Sequence, residues 1–211
     1  MAQDVAALKS VLTLAPVVPV IVHDDVARAK DLAAALVEGG LPVLEVTLRT
    51  PNALKVIAAM AEVKGAVVGS GTVRHLDHMK ASRDAGCRFM VSPGAPVKLL
   101  EDAEQVAVPL LPGVASPSEA MAAALLGYSY LKFFPAEAMG GIPVLKAFAS
   151  PLPDLVFCPT GGISLSNARD YLALPNVVCV GGSWVVPGDA IAAGDFARVT
   201  RLAKEAAGLR G

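Results

Sequence analysis

The sequence predicts a parallel (β/α)8 barrel in a single domain, residues 1–211, with an extra N-terminal helix. Three observations carry that expectation. Short apolar runs alternate with helix-like segments about eight times along the 211 residues, the signature of parallel strands joined by crossover helices. No linker, low-complexity run or sequence repeat divides the chain. Small residues gather just after the apolar runs, where a barrel opens its mouth. The length is near the lower limit for such a barrel, so its loops must be short. A doubly wound open sheet is the alternative, weakened because the first βα turn has no dinucleotide fingerprint.

A helix is expected from about Asp4 to Leu12, ahead of the first strand. Strands are expected at Val17–Val22, Val43–Thr47, Val67–Gly69, Phe89–Ser92, Val108–Leu111, Tyr130–Phe133, Val156–Cys158 and Val177–Val180. In the segment Val26–Glu38, Leu32, Leu36 and Val37 form the apolar stripe of a helix. Thr50-Pro51 offers a capping hydroxyl before a proline at the first helical position. Ser116-Pro117-Ser118-Glu119 repeats that device and completes a capping box. Gly39-Gly40, Gly86 and Gly127 stand where helices should stop.

Composition narrows the function classes. The chain is 54% apolar but only 5% aromatic, so an interior rich in Ala, Val and Leu is expected. Its 18 basic and 19 acidic residues leave a formal charge of −1 with no basic tract, which argues against nucleic acid as a partner. Pro, Gly or charge interrupts every apolar stretch before it reaches the length of a membrane span. Met1-Ala2-Gln3-Asp4 lacks the basic flank and apolar core of a secretion signal. Cys87, Cys158 and Cys179 have no metal-like spacing and read as buried thiols in a reducing compartment. A cytoplasmic protein is expected.

The most informative residue is Lys132, within the apolar run Tyr130-Leu131-Lys132-Phe133-Phe134. Lysine is seldom fully buried. Desolvation disfavours the charged form of a buried amine, and a neutral amine can attack a carbonyl to form a Schiff base. The alternative is a stem packed among aromatics with its ammonium reaching a strand end. In Leu41–Pro51, Glu45, Thr47 and Arg49 share one face because side chains alternate along a strand. Glu45 can move protons, and Arg49 can hold a carboxylate by a two-point fork. A structural Glu–Arg ion pair is the alternative. Together the three supply an amine nucleophile, a proton shuttle and a carboxylate anchor, the equipment for work on a 2-oxo acid.

The expected strand ends add Gly69-Ser70-Gly71-Thr72, Ser92-Pro93-Gly94, Leu111-Pro112-Gly113, Pro159-Thr160-Gly161-Gly162 and Gly181-Gly182-Ser183. The turns after strands seven and eight are where barrels commonly bind phosphate, against the plainer reading of close loop packing. Thr72 follows strand three, where its hydroxyl can meet a carboxylate or carbonyl oxygen. His75 and His78 are three apart, a spacing that reads as a solvated helix face before a metal site. His23-Asp24-Asp25 follows strand one, with an aspartate expected to cap the next helix and no role assigned to His23. No carboxylate and histidine recur at successive strand ends, so no metal is invoked.

With these residues in view, the chain resembles the class I 2-keto-3-deoxy-6-phosphogluconate aldolases, which also act as 4-hydroxy-2-oxoglutarate aldolases. The matching stretches are LEVTLRT (44–50), Gly71-Thr72-Val73, Ser92-Pro93-Gly94, LKFFPAE (131–137), Cys158-Pro159-Thr160-Gly161-Gly162-Ile163 and Gly181-Gly182-Ser183-Trp184. The resemblance implies a TIM barrel that assembles as a homotrimer and serves the Entner–Doudoroff route. It implies Lys132 as the Schiff-base lysine and Glu45 as the catalytic glutamate. Arg49 and Thr72 become pyruvate-carboxylate contacts, and Gly161, Gly162 and Ser183 the phosphate side. Pro93 and Phe134 complete the implied substrate-binding set. The implied substrates are small 2-oxo acids and phosphosugar acids, with neither metal nor organic cofactor. Preference for the phosphogalactonate epimer is the nearest competing activity; a phosphosugar isomerase or epimerase and a non-catalytic phosphosugar-binding barrel are remoter ones.

Overall fold

A computed structural model of the chain describes residues 4–209. The order is α1 (Val5–Leu12), β1 (Val17–Ile21), a 3-10 turn (Val26–Arg28), α2 (Ala29–Glu38), β2 (Val43–Thr47), α3 (Ala53–Ala61) and β3 (Val67–Gly71). Then come α4 (Leu76–Asp84), β4 (Phe89–Val91), α5 (Val97–Ala103), β5 (Leu110–Leu111), β6 (Gly113–Val114), α6 (Pro117–Leu125) and β7 (Tyr130–Phe133). The chain continues through α7 (Gly141–Ala149), β8 (Val156–Pro159), α8 (Leu165–Leu172), β9 (Val180–Gly182), α9 (Gly188–Ala193) and α10 (Phe196–Ala207).

The strands form a six-stranded sheet in the order β5-β4-β3-β2-β1-β9 and a three-stranded sheet in the order β6-β7-β8. Every strand pairing in them is parallel. β5 and β6 flank Pro112, which has no N–H to give to a ladder. β5 pairs with β4 and β6 with β7, so one interrupted stretch serves both sheets. On the other side, parallel bridges Phe157↔Val177 and Thr160↔Gly181 tie β8 to the approach and body of β9. The fold is α/β, with parallel strands in a curled sheet.

Two apolar layers hold it. The larger lies between strands and helices, with Leu32, Leu36, Leu44, Val46, Ile57, Met60 and Phe133 fully buried. The smaller is made by residues on the opposite strand faces, Val18, Val43, Phe89, Val91, Leu111 and Cys158, together with Leu8, Val11 and Leu12 of α1. The N-terminal helix thus closes one end of the strand interior. Burying a leucine side chain in this way is worth about 1.5–3 kcal/mol. Asp4 caps α1 by accepting from the Ala7 amide at 2.8 Å, and the capping box at Ser116 and Glu119 starts α6.

Three expectations need correction. Strand eight begins at Val180 rather than Val177, which makes only an isolated bridge to Phe157, formed by Phe157 donating to the Asn176 carbonyl at 2.7 Å and Val178 donating to the Phe157 carbonyl at 3.0 Å. Strand five, expected over Val108–Leu111, begins only at Leu110 and resumes beyond Pro112 as Gly113–Val114. Thr50-Pro51 does not begin α3, whose cap position is Asn52. The Thr50 hydroxyl donates to the His23 carbonyl at 2.9 Å, and Asp24 accepts from the Asn52 amide at 2.9 Å. The cap of α3 therefore comes from across the neighbouring turn. Asp25 caps the 3-10 turn before α2 by accepting from Ala27. No helix among the described residues is long and apolar enough to cross a membrane.

Candidate active site

β2 presents Val43, Glu45 and Thr47 on the interior face, and β7 presents Tyr130 and Lys132, as period-two alternation requires. Val43 joins the dry layer over α1; Glu45 and Lys132 stand one step further toward the C-terminal strand ends. β2 and β7 belong to different sheets, yet Lys132 Nζ donates to Glu45 Oε1 at 3.2 Å. The two side chains are only 6% and 4% exposed. Each charge has given up water and keeps the other as its partner, the condition under which a buried pair is tolerated. The Phe134 ring centroid lies 5.2 Å from Lys132 Nζ.

Space for Glu45 is made by Gly71. A Cβ at that position would stand 2.3 Å from Glu45 Oε1. Gly181 does the same for the buried Thr160, whose Oγ1 lies 2.3 Å from where a Cβ would be. These glycines are small because neighbouring polar side chains fill the space.

A cleft of about 200 Å³ opens above the pair, lined by Lys132, Phe134 and Arg49, by Val20 and Val22, by Thr160–Ile163 and by Gly181–Ser183. Six of the nine residues expected from the sequence line it, and Glu45 is buried as Lys132's partner. Arg49 donates from Nε to Thr72 Oγ1 at 3.1 Å. Thr72 has φ +63°, unusual for a β-branched residue. Pro93 does not line this cleft; its carbonyl carbon would lie 2.5 Å from a Cβ on Gly113.

Sequence reasoning gave no role to Thr160, Val20, Val22 or Ile163, which also line the cleft. Thr160 was accessible by alternation, being two residues beyond the inward Cys158. His23 is buried with Nε2 unpartnered, and burial lowers its pKa against the opposing pull of Asp25 and Asp24. It faces a separate hollow shared with Asp24, Asp25 and Arg28. His75 is exposed at the start of α4, and its ring lies 3.8 Å from that of His78. The three cysteines are free and buried, and desolvation pushes the Cys87 thiol up to about 11.

A family model described as "Aldolase: KDPG and KHG aldolase" matches residues 8–202. The chain is 51% identical over 199 residues to the KHG/KDPG aldolase of Escherichia coli K12, covering 94% of this chain and 93% of that protein. It is 50% identical to the 2-keto-3-deoxy-6-phosphogluconate aldolase of Zymomonas mobilis ZM4, whose crystal structure with 3-phosphoglycerate superposes with a TM-score of 0.93 over 98% of both chains. The KDPG aldolase of Legionella pneumophila, solved with pyruvate captured at low pH as a covalent carbinolamine intermediate, is 45% identical. It superposes with a TM-score of 0.92 over 94% of this chain and 97% of that one.

Gly71→Ala is expected to drive Glu45 away from Lys132, since the added methyl cannot coexist with Oε1. Overpacking should destabilise the fold by about 1–3 kcal/mol, read from urea unfolding. Gly188→Ala, where a Cβ meets nothing within 4 Å, is the control and should change stability by no more than about 0.5 kcal/mol. Equal stability of the two variants would show that the space opposite Glu45 is not constrained by Gly71.

Proposed function

This chain belongs to the KDPG and KHG aldolase family, and from that premise we propose which reaction it runs and which residues run it. It is a class I aldolase that cleaves 2-keto-3-deoxy-6-phosphogluconate to pyruvate and glyceraldehyde 3-phosphate, and 4-hydroxy-2-oxoglutarate to pyruvate and glyoxylate. The observation that carries the reading is the buried amine of Lys132, 3.2 Å from a buried carboxylate at the floor of a cleft.

Lys132 Nζ attacks the C2 ketone, and the carbinolamine loses water to give an iminium. Glu45 supplies and removes the protons of those steps, directly or through a water. The iminium draws the electron pair of the C3–C4 bond as it breaks, while Glu45 takes the proton of the C4 hydroxyl and the aldehyde leaves. The enamine is then protonated at C3, and hydrolysis frees pyruvate and the amine. Arg49 and Thr72, already joined at 3.1 Å, hold the carboxylate common to all these substrates. Gly161, Gly162 and Ser183 also line the cleft and take the phosphate. Phe134 lies over the amine at 5.2 Å, and Pro93, just after β4, is taken as a further substrate contact although it does not line the cleft.

The same reading takes residues 1–211 as one domain and closes the strands into a complete (β/α)8 barrel. Supporting closure are the split at Pro112, which serves both sheets, and the bridges between β8 and β9. A place in the Entner–Doudoroff route follows from the proposed substrate. The reading also includes a cytoplasmic location, consistent with three free cysteines, and a homotrimer. Met121 and Leu125, exposed one turn apart on α6, offer an apolar surface to another copy.

Incubation with pyruvate and borohydride should attach one reduced adduct per chain at Lys132. Lys132→Met should abolish both trapping and turnover; label on Lys146 would overturn the assignment. Glu45→Gln keeps the size but removes the proton transfer, so turnover should fall on the order of 10² or more, with a much smaller change in pyruvate affinity. Near-normal turnover would pass the base role to another group.

Substrate choice separates the two ends of the cleft. A charge-assisted hydrogen bond is worth about 1.5–3 kcal/mol, or roughly ten- to more than a hundredfold in affinity. Arg49→Ala should weaken phosphorylated and unphosphorylated substrates by similar factors. Ser183→Ala should cost less, and chiefly with the phosphorylated sugar acid. Equal damage to both substrates from Ser183→Ala would make that residue a support of the cleft rather than a phosphate contact.

A further inference from the structure

Tyr171 is fully buried on α8, yet its hydroxyl donates to the carboxylate of Glu137 in the turn after β7. Burial and the bond to Glu137 both raise the pKa of the phenol, so it remains a donor at neutral pH. Glu137 is itself exposed, and a contact between a buried hydroxyl and a surface carboxylate needs room. Gly141 supplies it: a Cβ there would lie 2.7 Å from the Tyr171 hydroxyl and 3.2 Å from Glu137 Oε1. Gly141 also has φ +61°, a backbone that favours glycine.

From this contact Glu137 reaches the Gly161–Gly162 turn twice. Its amide donates to the Gly161 carbonyl at 3.1 Å. Its side-chain stem covers Gly162, where a Cβ would stand 2.5 Å from Glu137 Cγ. One helical turn before Tyr171, Asn167 donates from Nδ2 to the Gly162 carbonyl at 3.1 Å. Residues four apart share a helix face, so one face of α8 holds the turn from both sides. Both glycine carbonyls are bound inward.

We propose that Tyr171 and Glu137 are positioning residues that fix the Gly161–Gly162 turn for the phosphate of the phosphorylated substrate, and so set the preference for that substrate over its unphosphorylated counterpart. The proposal rests on the phosphate reading given above. The physical need is plain. A mobile carboxylate beside an anion site repels the ligand, whereas one drawn toward a buried hydroxyl becomes a strut. Neither residue touches the reacting carbons, so the amine chemistry does not depend on them.

The test is the ratio of kcat/KM for 2-keto-3-deoxy-6-phosphogluconate to that for 4-hydroxy-2-oxoglutarate, measured in the wild type, Tyr171→Phe, Glu137→Gln and Ser183→Ala. Tyr171→Phe loses only the hydroxyl and should lower the ratio about five- to twentyfold, mainly through KM for the phosphorylated acid. Glu137→Gln keeps an oxygen that can accept from Tyr171 and should stay within about threefold of the wild type. Stoichiometric pyruvate trapping at Lys132 in each variant confirms an intact fold. If Ser183→Ala lowers the ratio and Tyr171→Phe does not, the strut is refuted while the phosphate reading stands. If neither lowers it, the phosphate lies elsewhere and both fall. Equal loss on the two substrates in Tyr171→Phe would show a general packing role and also overturn the proposal.

Discussion

The buried contact between Lys132 and Glu45 is the constraint on which the rest of the structure turns. It joins β7 of one sheet to β2 of the other. A buried ion pair is a poor source of net stability, because desolvating two charges offsets most of their attraction. Removing one partner, however, strands the other and costs about 3–5 kcal/mol. The pair is therefore retained for what it can do, and the surroundings are shaped to permit it. Gly71 makes room beside the carboxylate. Phe134 and the walls of the cleft limit water around the amine.

The interior is layered along the strand axis, and α1 decides which end is open. Leu8, Val11 and Leu12 pack against Val18, Val43, Phe89 and Cys158, sealing the N-terminal ends of the strands. Because side chains alternate, the next inward position on each strand lies one layer up. From Val43 that position is Glu45, and from Cys158 it is Thr160. The polar layer therefore sits over the dry one on the side of the cleft, which Arg49, Ser183 and the glycine turns line. Only a short vertical step separates the closed core from the Lys132 amine.

Much of this was legible in the sequence because alternation is a local rule. Glu45 and Thr47 share a face for the same reason that Lys132 points inward, whereas Arg49, expected on that face, lies in the turn beyond β2, where strand alternation no longer applies. Long-range pairing was not legible in this way. Nothing in LEVTLRT or in LKFFPAE, read as physics alone, brings Glu45 to Lys132 across 87 positions. Complementary chemistry grouped the two residues, and the fold brings Nζ and Oε1 to 3.2 Å. The misread cap at Thr50 has a similar origin: its hydroxyl was claimed by the His23 carbonyl, and Asp24 served Asn52 instead. A proline after a threonine reads as a helix start only when no neighbouring turn competes. The stop at Pro112 is legible in the sequence, but the strand that resumes at Gly113–Val114 is too short to carry a pattern of its own. Tyr171 was invisible as anything but core, since its partner Glu137 lies 34 positions away.

The site also separates its two tasks by the elements that carry them. The amine, its carboxylate partner and Arg49 come from β7, from β2 and from the turn just beyond β2, held by ladders and by the packing of the dry layer. The Gly161–Gly162 turn is instead held by side chains of α8 and by the turn after β7. Strand residues are fixed by the whole sheet, so changing one disturbs many neighbours. Loop geometry held by a few hydrogen bonds can change with less effect on the rest. Under the proposed assignment, carbon–carbon cleavage is tied to the rigid part of the molecule and recognition of the distal group to the adjustable part. One amine then serves both a phosphorylated sugar acid and a shorter dicarboxylate, because only the second task distinguishes them.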